Sequence, residues 1–523
     1  MMKPAATEKF LYQSQPAQPD AVRVGWVYPY TYPVSMSSLG YLTLFRQLDE
    51  RPDVSVRRIN TDNMQAESVR DLEMMGVSFS FELDILEIIR ILQHYQLPLF
   101  ARDRDSSMPL LFAGGPVVMT NPEPYADFFD FFLIGEGEEV LADLITAYQK
   151  HRHLSNRSEL LKILAEEVPG LYVPSLYDVS YAEEITGITP EVKIEKRWME
   201  NMDEVIASTP ILTENSVFSN TFLVEVMRGC AHRCRFCLAS YSMLPARGPS
   251  LESIIEKIEL GLIHTDKIGL LGALIADHPQ FEELCTYLQG KKDAKVTAAS
   301  LRADTLTPHI AKTLKQGGQQ TVTIAVETGS EKLRKRINKH LKTEDILQAA
   351  DITAHAGLAT LKLYMMVGLP EETDQDLEDT VNLVKTIKKQ NPQQKIAFGC
   401  STFVPKAQTP FQWMPRESSK VLQEKHAYLR KQLYKYCDFR PSSPKWDSVQ
   451  ALLSMGDRRL APWIVEFVNQ GANLGAVNRT FKKIQVPSLA WYTERQRESS
   501  EILPWERISL GVSKETLYKE SGL

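Results

Sequence analysis

The sequence predicts an α/β protein in three parts: a doubly wound Rossmann-like domain, a partial TIM-type (β/α)6 barrel, and a small, mainly helical C-terminal region. Three observations carry this expectation. Between Ala21 and Gly137 short apolar runs alternate with stretches long enough for crossover helices, the pattern of a parallel sheet covered on both faces. From Thr221 the alternation starts again and runs through six units, as in a barrel or partial barrel. Beyond about residue 430 the strand-like runs stop, and the most amphipathic stretch is "MGDRRLAPWIVEFVNQGANL". The expected divisions are a flexible tail over 1–20, the first domain over 21–155, a connector over 156–215, the barrel over 216–430 and the C-terminal region over 431–523.

In the first domain the expected strands are "VRVGWVYP", "SVRRIN", "MMGVSFSF", "PLLFAGGP" and "FFLIGEGEE". Turn residues follow them: Pro29 after the first, Gly114-Gly115-Pro116 after the fourth, Gly135-Glu136-Gly137 after the fifth. Ligands of such folds bind outside the carboxyl ends of the strands. The connector mixes β-like and polar stretches with scattered prolines and shows no clear period. In the barrel the strands are "FLVEVMRG", "KIGLLGAL", "KVTAASLR", "QTVTIAVETG", "TLKLYMMVG" and "KIAFGCSTF", separated by helical segments such as "SLESIIEKIELGL".

Composition narrows the class. The chain has 523 residues, 43% hydrophobic and 24% charged, enough for about three globular domains. No secretory h-region opens the sequence, and no run approaches the roughly 20 apolar residues of a membrane span, so a soluble, cytoplasmic protein is expected. A net charge of −6 gives no global positive field for nucleic acid. The basic run "EKLRKRINKHLK", Glu331 to Lys342, reads mainly as a solvated helix face.

Six cysteines are too few for a disulfide scaffold, yet three of them fall within eight residues in "VEVMRGCAHRCRFCLAS". Cys230, Cys234 and Cys237 are spaced Cys-x-x-x-Cys-x-x-Cys and follow the first barrel strand, which places them at the mouth. Thiolates are soft ligands for iron–sulfur clusters or zinc. A short loop with three can ligate three irons of a cubane and leave the fourth open. Zinc would need His232 or the distant His278 as a fourth ligand, and a merely reactive thiol needs no fixed spacing. Cys285, Cys400 and Cys437 are dispersed and read as packing residues.

This spacing, the aromatic Phe236 before the third cysteine and the position after the first strand of a β/α series together resemble the radical S-adenosylmethionine (SAM) enzymes. The resemblance implies a [4Fe–4S] cluster on Cys230, Cys234 and Cys237, cleavage of SAM to a 5′-deoxyadenosyl radical, and an electron donor such as ferredoxin or flavodoxin. It also implies SAM contacts. The loop that receives the methionine amino group is Gly-Gly-Glu-like in the family; here "LLGALIADHP" keeps only Gly272. "SLRAD" offers Ser300 and Arg302, "AVETGSEKLRKRINK" offers Glu327 with Arg334 and Arg336, and "YMMVGLPEET" brings Val367 toward the adenine.

"FAGGPVVMTNPEPYADFFDFFLIGEGEEVL" is similar to the first domain of the cobalamin-binding class of that superfamily. This implies cobalamin at the strand ends, near Tyr28, Ser78, Gly114, Gly115, Gly135 and Glu136. An Asp-x-His-x-x-Gly motif is missing: the histidines before residue 230 are His94, His151 and His153, so cobalt is expected without a histidine ligand. Segments such as "MGDRRL", "FVPKAQTPFQW" and "LPWERISLGVSK" resemble an uncharacterised family of cobalamin-type radical proteins. The expected activity is methyl transfer to an unactivated carbon of an unknown substrate. The alternatives are a cobalamin-free radical enzyme that uses the first domain as a substrate platform, and a zinc-stabilised interaction scaffold. A methylthiotransferase fits less well, because those relatives carry a second cluster on cysteines of the first domain, and residues 1–229 contain none.

Overall fold

The computed structural model describes residues 7–65 and 68–523. In the first domain β1 (Val22–Val27), β2 (Val54–Ile59), β3 (Met74–Ser78), β4 (Leu110–Gly114) and β5 (Phe131–Leu133) are parallel, and β6 (Leu171–Tyr172) pairs antiparallel with β5. The sheet order is 2-1-3-4-5-6. These strands are apolar because helices cover both faces. Helices Leu39–Asp49 and Gly137–His151 bury Tyr41, Phe45, Leu144 and Ile145 on one side, and helix Asp84–His94 buries Ile85, Ile88, Ile89 and Leu92 on the other. The order reverses between β1 and β3, so a crevice opens at their carboxyl ends.

The barrel is a parallel half-cylinder in two sheets. β7 (Phe222–Met227), β8 (Lys267–Gly272) and β9 (Lys295–Ala298) form the first. β10 (Thr321–Glu327), β11 (Thr360–Val367), β12 (Lys395–Thr402) and β13 (Asp438–Pro441) form the second, joined to the first through a parallel bridge from Leu301 to Ile324. The six expected strands are present. The seventh, β13, lies beyond the expected end of the barrel; four residues closing in proline are too few to show a period. Alternate residues of each strand, such as Val322, Ile324, Leu361, Leu363 and Phe398, pack on the helices.

At the N-terminal end the expected flexible tail contains a strand, and at the C-terminal end the expected helices are present. Within the tail, Glu8–Phe10 pairs antiparallel with Ile211–Thr213, while residues 1–6 lie outside the described residues. The C-terminal helices pack on the first domain, where Val449, Leu452, Trp463, Ile464 and Phe467 share a core with Ile85, Ile89 and Phe129. "MGDRRL" is the fastener. The Asn121 side-chain amide donates to the carbonyls of Ser454 and Gly456 at 3.0 Å, and Arg458 donates to Glu123 at 2.7 Å. Among the described residues no helix is long and apolar enough to cross a membrane.

Candidate functional site

β7 delivers the chain into the cysteine loop, and that loop is tied down by its backbone. The Cys237 N–H donates to the Cys234 carbonyl at 3.0 Å. The Asn338 amide donates to the carbonyls of His232 and Arg233 at 3.1 and 2.9 Å, the Arg235 N–H donates to the Ile337 carbonyl at 3.0 Å, and Arg233 pairs with Glu520 at 2.8 Å. Cys234 is 6% exposed. Burial pushes its thiol up to about 12 and also raises that of Cys237. Both are neutral in the protein alone, and a bound soft metal replaces their protons.

The candidate fourth ligands are engaged elsewhere. His232 Nε2 lies 2.8 Å from Asp277. His278 is buried and uses both ring nitrogens: Nε2 donates to the Pro249 carbonyl at 2.8 Å, and Nδ1 accepts from the Gln280 N–H at 3.2 Å. Among the described residues no three His, Cys, Asp or Glu side chains converge as a single ion requires. In a cubane each cysteine takes a different iron, so the donor set suits a cluster better than zinc.

Glu327, at the end of β10, has φ of +72°, a conformation that a non-glycine residue adopts at a cost of about 1–3 kcal/mol. The buried Lys339 donates to it at 3.1 Å, and Arg302 donates to the Lys339 carbonyl at 3.1 Å and to Asp304. Burial pulls the Lys339 pKa down, but the Glu327 carboxylate outweighs it and the net shift is upward, so the ammonium is held charged beside Glu327. The structure thus brings Arg302 and Glu327 to Cys234 and adds Lys339. Lys339 sits in the basic run read as a solvated face; the signal there was a lysine directly after the loop-anchoring Asn338.

Other predicted residues lie elsewhere. Arg334 is wholly buried and donates to the carbonyls of Leu341 and Thr328 and to Thr343, closing its own turn. Arg336 pairs with Glu371 at 2.7 Å and donates to the Ser521 carbonyl at 2.6 Å, fastening the C-terminal helix. Both guanidiniums are engaged by protein partners. Val367 is in the helix-side core, Phe236 packs on the apolar cluster around Leu333 and Phe411, and Ser300 is half-buried just past β9.

The crevice of the first domain forms a cavity of about 460 Å³. Ser78, Gly114, Gly115, Gly135 and Glu136 line it from one side, and Met227, Gly229, Ala239 and Gly272 line it from the barrel. Tyr28 does not; it is buried behind the wall, edge-on to Tyr41 at 5.1 Å. Gly115 and Gly135 are required by the backbone itself. Their φ values are +121° and +131°, and a Cβ would meet the Phe79 carbonyl oxygen at 2.5 Å and that of Arg197 at 2.2 Å, so the backbone alone demands glycine. Glu136 is also committed. It bridges to Arg228 at 2.8 Å and Arg247 at 2.6 Å, and these cations outweigh its burial and lower its pKa. This buried ion network joins the first domain to residues on both sides of the cysteine loop, Arg228 before it and Arg247 after it. Space for a ligand exists at Gly40, where a Cβ would meet nothing within 4 Å, and at Gly114, where the nearest atom is 3.8 Å away. Among the described residues no histidine lines the cavity.

Asp84 lies under Ser80 of the same wall. Its Oδ2 accepts from the N–H groups of Ser80 and Phe81, and burial outweighs these hydrogen bonds and raises its pKa to about 6. The folded value lies above the unfolded one, so the folded chain binds an extra proton between about pH 4 and 6. Stability therefore falls as pH rises through that window, by roughly 3 kcal/mol in full. Asp84→Asn is expected to stabilise the protein at pH 8 by about 1–3 kcal/mol. Urea melts at pH 4 and pH 8 check this; an equal effect at both pH values contradicts it.

A doubly wound domain whose switch point faces a three-cysteine loop at the mouth of a partial β/α barrel is the architecture of a radical SAM protein. The chain belongs to that superfamily: residues 41–174 match the family "Radical SAM proteins, N-terminal" and residues 224–384 match "Radical SAM superfamily". Membership implies a [4Fe–4S] cluster and SAM as cofactors. An uncharacterized protein of Methanocaldococcus jannaschii is 28% identical over 462 residues, 87% of this chain and 94% of its own. The radical SAM methyltransferase TsrM from Kitasatospora setae, solved with cobalamin and a [4Fe–4S] cluster bound, superposes with a TM-score of 0.53 at 12% identity, covering 89% of this chain and 99% of that one. The cobalamin-dependent SAM radical enzyme OxsB, solved with aqua-cobalamin bound, gives 0.52 at 14% identity, covering 90% and 70%. The fold is shared with both.

Proposed function

We propose that this chain is a radical SAM enzyme that carries its cluster on Cys230, Cys234 and Cys237, holds cobalamin between its two α/β domains, and transfers a methyl group to an unactivated carbon. One observation supports this reading above the others: a single cavity runs from the switch point of the first domain to Gly229 and Ala239, which flank the cysteine loop. TsrM and OxsB, which share the fold, are described with cobalamin bound. When bound, the cluster supplies the electron that cleaves SAM to the 5′-deoxyadenosyl radical, and cobalamin supplies the methyl group.

The chain's own residues bind and orient. Cys230, Cys234 and Cys237 would hold the cluster by three of its irons, which would leave one for SAM. Glu327 presents an acceptor at the barrel mouth, Lys339 donates to that carboxylate at 3.1 Å and holds it in place, and Arg302 holds the Lys339 backbone. Lys339→Met is expected to weaken SAM binding by about tenfold or more, as loss of a buried ion pair leaves Glu327 unpaired. Equilibrium dialysis with labelled SAM measures it, and iron content shows that the cluster is intact. Unchanged affinity in both Lys339→Met and Glu327→Gln removes these residues from the SAM site.

A cobalamin-free radical enzyme is the second reading. Glu136 held by two arginines, and glycines dictated by the backbone, remove two of the sequence arguments for a corrinoid. Anaerobic reconstitution with hydroxocobalamin followed by gel filtration distinguishes the two, since only the first keeps corrinoid absorbance with the protein.

A further inference from the structure

We infer that the concave wall of the barrel binds a substrate with an anionic group, carboxylate or phosphate, joined to a planar or apolar part. The inference rests on the barrel being the reaction chamber proposed above. In β10, β11 and β12 every second residue packs on the helices, including Val322, Leu361, Leu363, Met365 and Phe398. The residues between them face the concave side. A closed barrel fills that side with packed side chains, but here Tyr364 is 43% exposed in mid-strand, and Thr297 and Ser401 are exposed one residue from their strand ends. The wall is an open, polar surface.

Its charges are unevenly committed. Glu327 is paired with Lys339 and Glu225 with Arg228. Lys362 makes no ion pair among the described residues; its ammonium lies 3.2 Å from the Tyr364 hydroxyl and 4.7 Å from the centre of that ring. A cation leaning on an exposed aromatic ring suits a ligand that offers an anion to the first and a flat or apolar surface to the second. The strand neighbours make room. Tyr364 is in register with Ala325 on one side and Gly399 on the other, and a Cβ at Gly399 would come within 3.3 Å of the tyrosine ring.

Register also sets the distance from the cysteine loop. Glu327 lies opposite Met365, so at roughly 3.3 Å per residue Tyr364 is about 3 Å and Lys362 about 10 Å further down the wall. A substrate whose anion reaches Lys362 therefore extends up past Tyr364 to the mouth where Glu327 and Cys234 lie.

Benzoate, phenyl phosphate and uncharged benzamide, titrated into the anaerobically reconstituted full chain by calorimetry, test the inference. One of the two anions is expected to bind at least about tenfold more tightly than benzamide, and the tighter one identifies the group recognised. Lys362→Gln should remove that preference, and Tyr364→Ala should weaken all three probes. Equal affinity for benzamide, an undiminished preference in Lys362→Gln, or no binding of either anion overturns the inference. Iron content of the same samples separates it from the parent reading: anion preference without iron leaves the wall and removes the radical chemistry, and full iron without anion preference removes the wall alone.

Discussion

Replacing Cys234 by serine is expected to take the protein from about four irons per chain to nearly none, and to abolish SAM cleavage with them. Cys234 is the most deeply placed of the three thiols, 6% exposed and surrounded by Lys339, Glu327 and Cys237. A hydroxyl there is a hard, neutral donor where a soft thiolate is required. Two remaining cysteines on one short loop cannot hold a cubane against solvent. The matched control is Cys285→Ala: Cys285 is also buried but lies in the helix-side core, so its loss costs packing and leaves the iron. Iron and sulfide analysis of anaerobic samples, read with the brown absorbance, decides the matter. A Cys234→Ser protein that keeps its iron, or a wild-type chain that holds stoichiometric zinc and refuses iron, ends the cluster assignment.

The sequence made the architecture legible because each strand carries its own signal. "VRVGWV" and "TLKLYMMV" are apolar with turns at their ends, and a parallel strand buried against helices can hardly look otherwise. The cysteine loop was equally local, with three ligands within eight residues. Partnerships were not. Nothing near Glu136 in sequence announces Arg228 and Arg247, about 90 and 110 residues further on, which occupy the carboxylate expected at a cofactor. Arg334 and Lys339 are five residues apart in one basic run, yet the first closes its own turn and the second turns to Glu327; only the path of the chain between Ile337 and Leu341 separates them. Tyr28 ends the right strand but on the buried side of the wall. The C-terminal helices looked like a separate amphipathic unit because their partner surface, the far face of the first-domain sheet, is formed by residues more than 300 positions earlier.

A tryptophan in place of Gly40 is expected to weaken retention of hydroxocobalamin at least about tenfold while leaving iron content and thermal stability unchanged. Gly40 sits at the start of helix Leu39–Asp49, at the rim of the interdomain cavity, and a side chain there meets no protein atom within 4 Å of its first carbon. The indole therefore takes space from the cavity and not from the fold. Removing a glycine from the helix should even contribute a few tenths of a kcal/mol. The more obvious target, Gly115, cannot serve: its φ of +121° and the Phe79 carbonyl 2.5 Å from any Cβ make every substitution a folding defect. A corrinoid needs a broad, shallow opening between the strand ends and Met227, and an indole at the rim blocks that approach from the first-domain side. If Gly40→Trp retains corrinoid as well as wild type does, the cavity is not where the macrocycle lies. If neither protein retains it while both hold their cluster, the cobalamin-free reading takes its place, and the buried Glu136 network is left as a joint between two domains of a simpler radical enzyme.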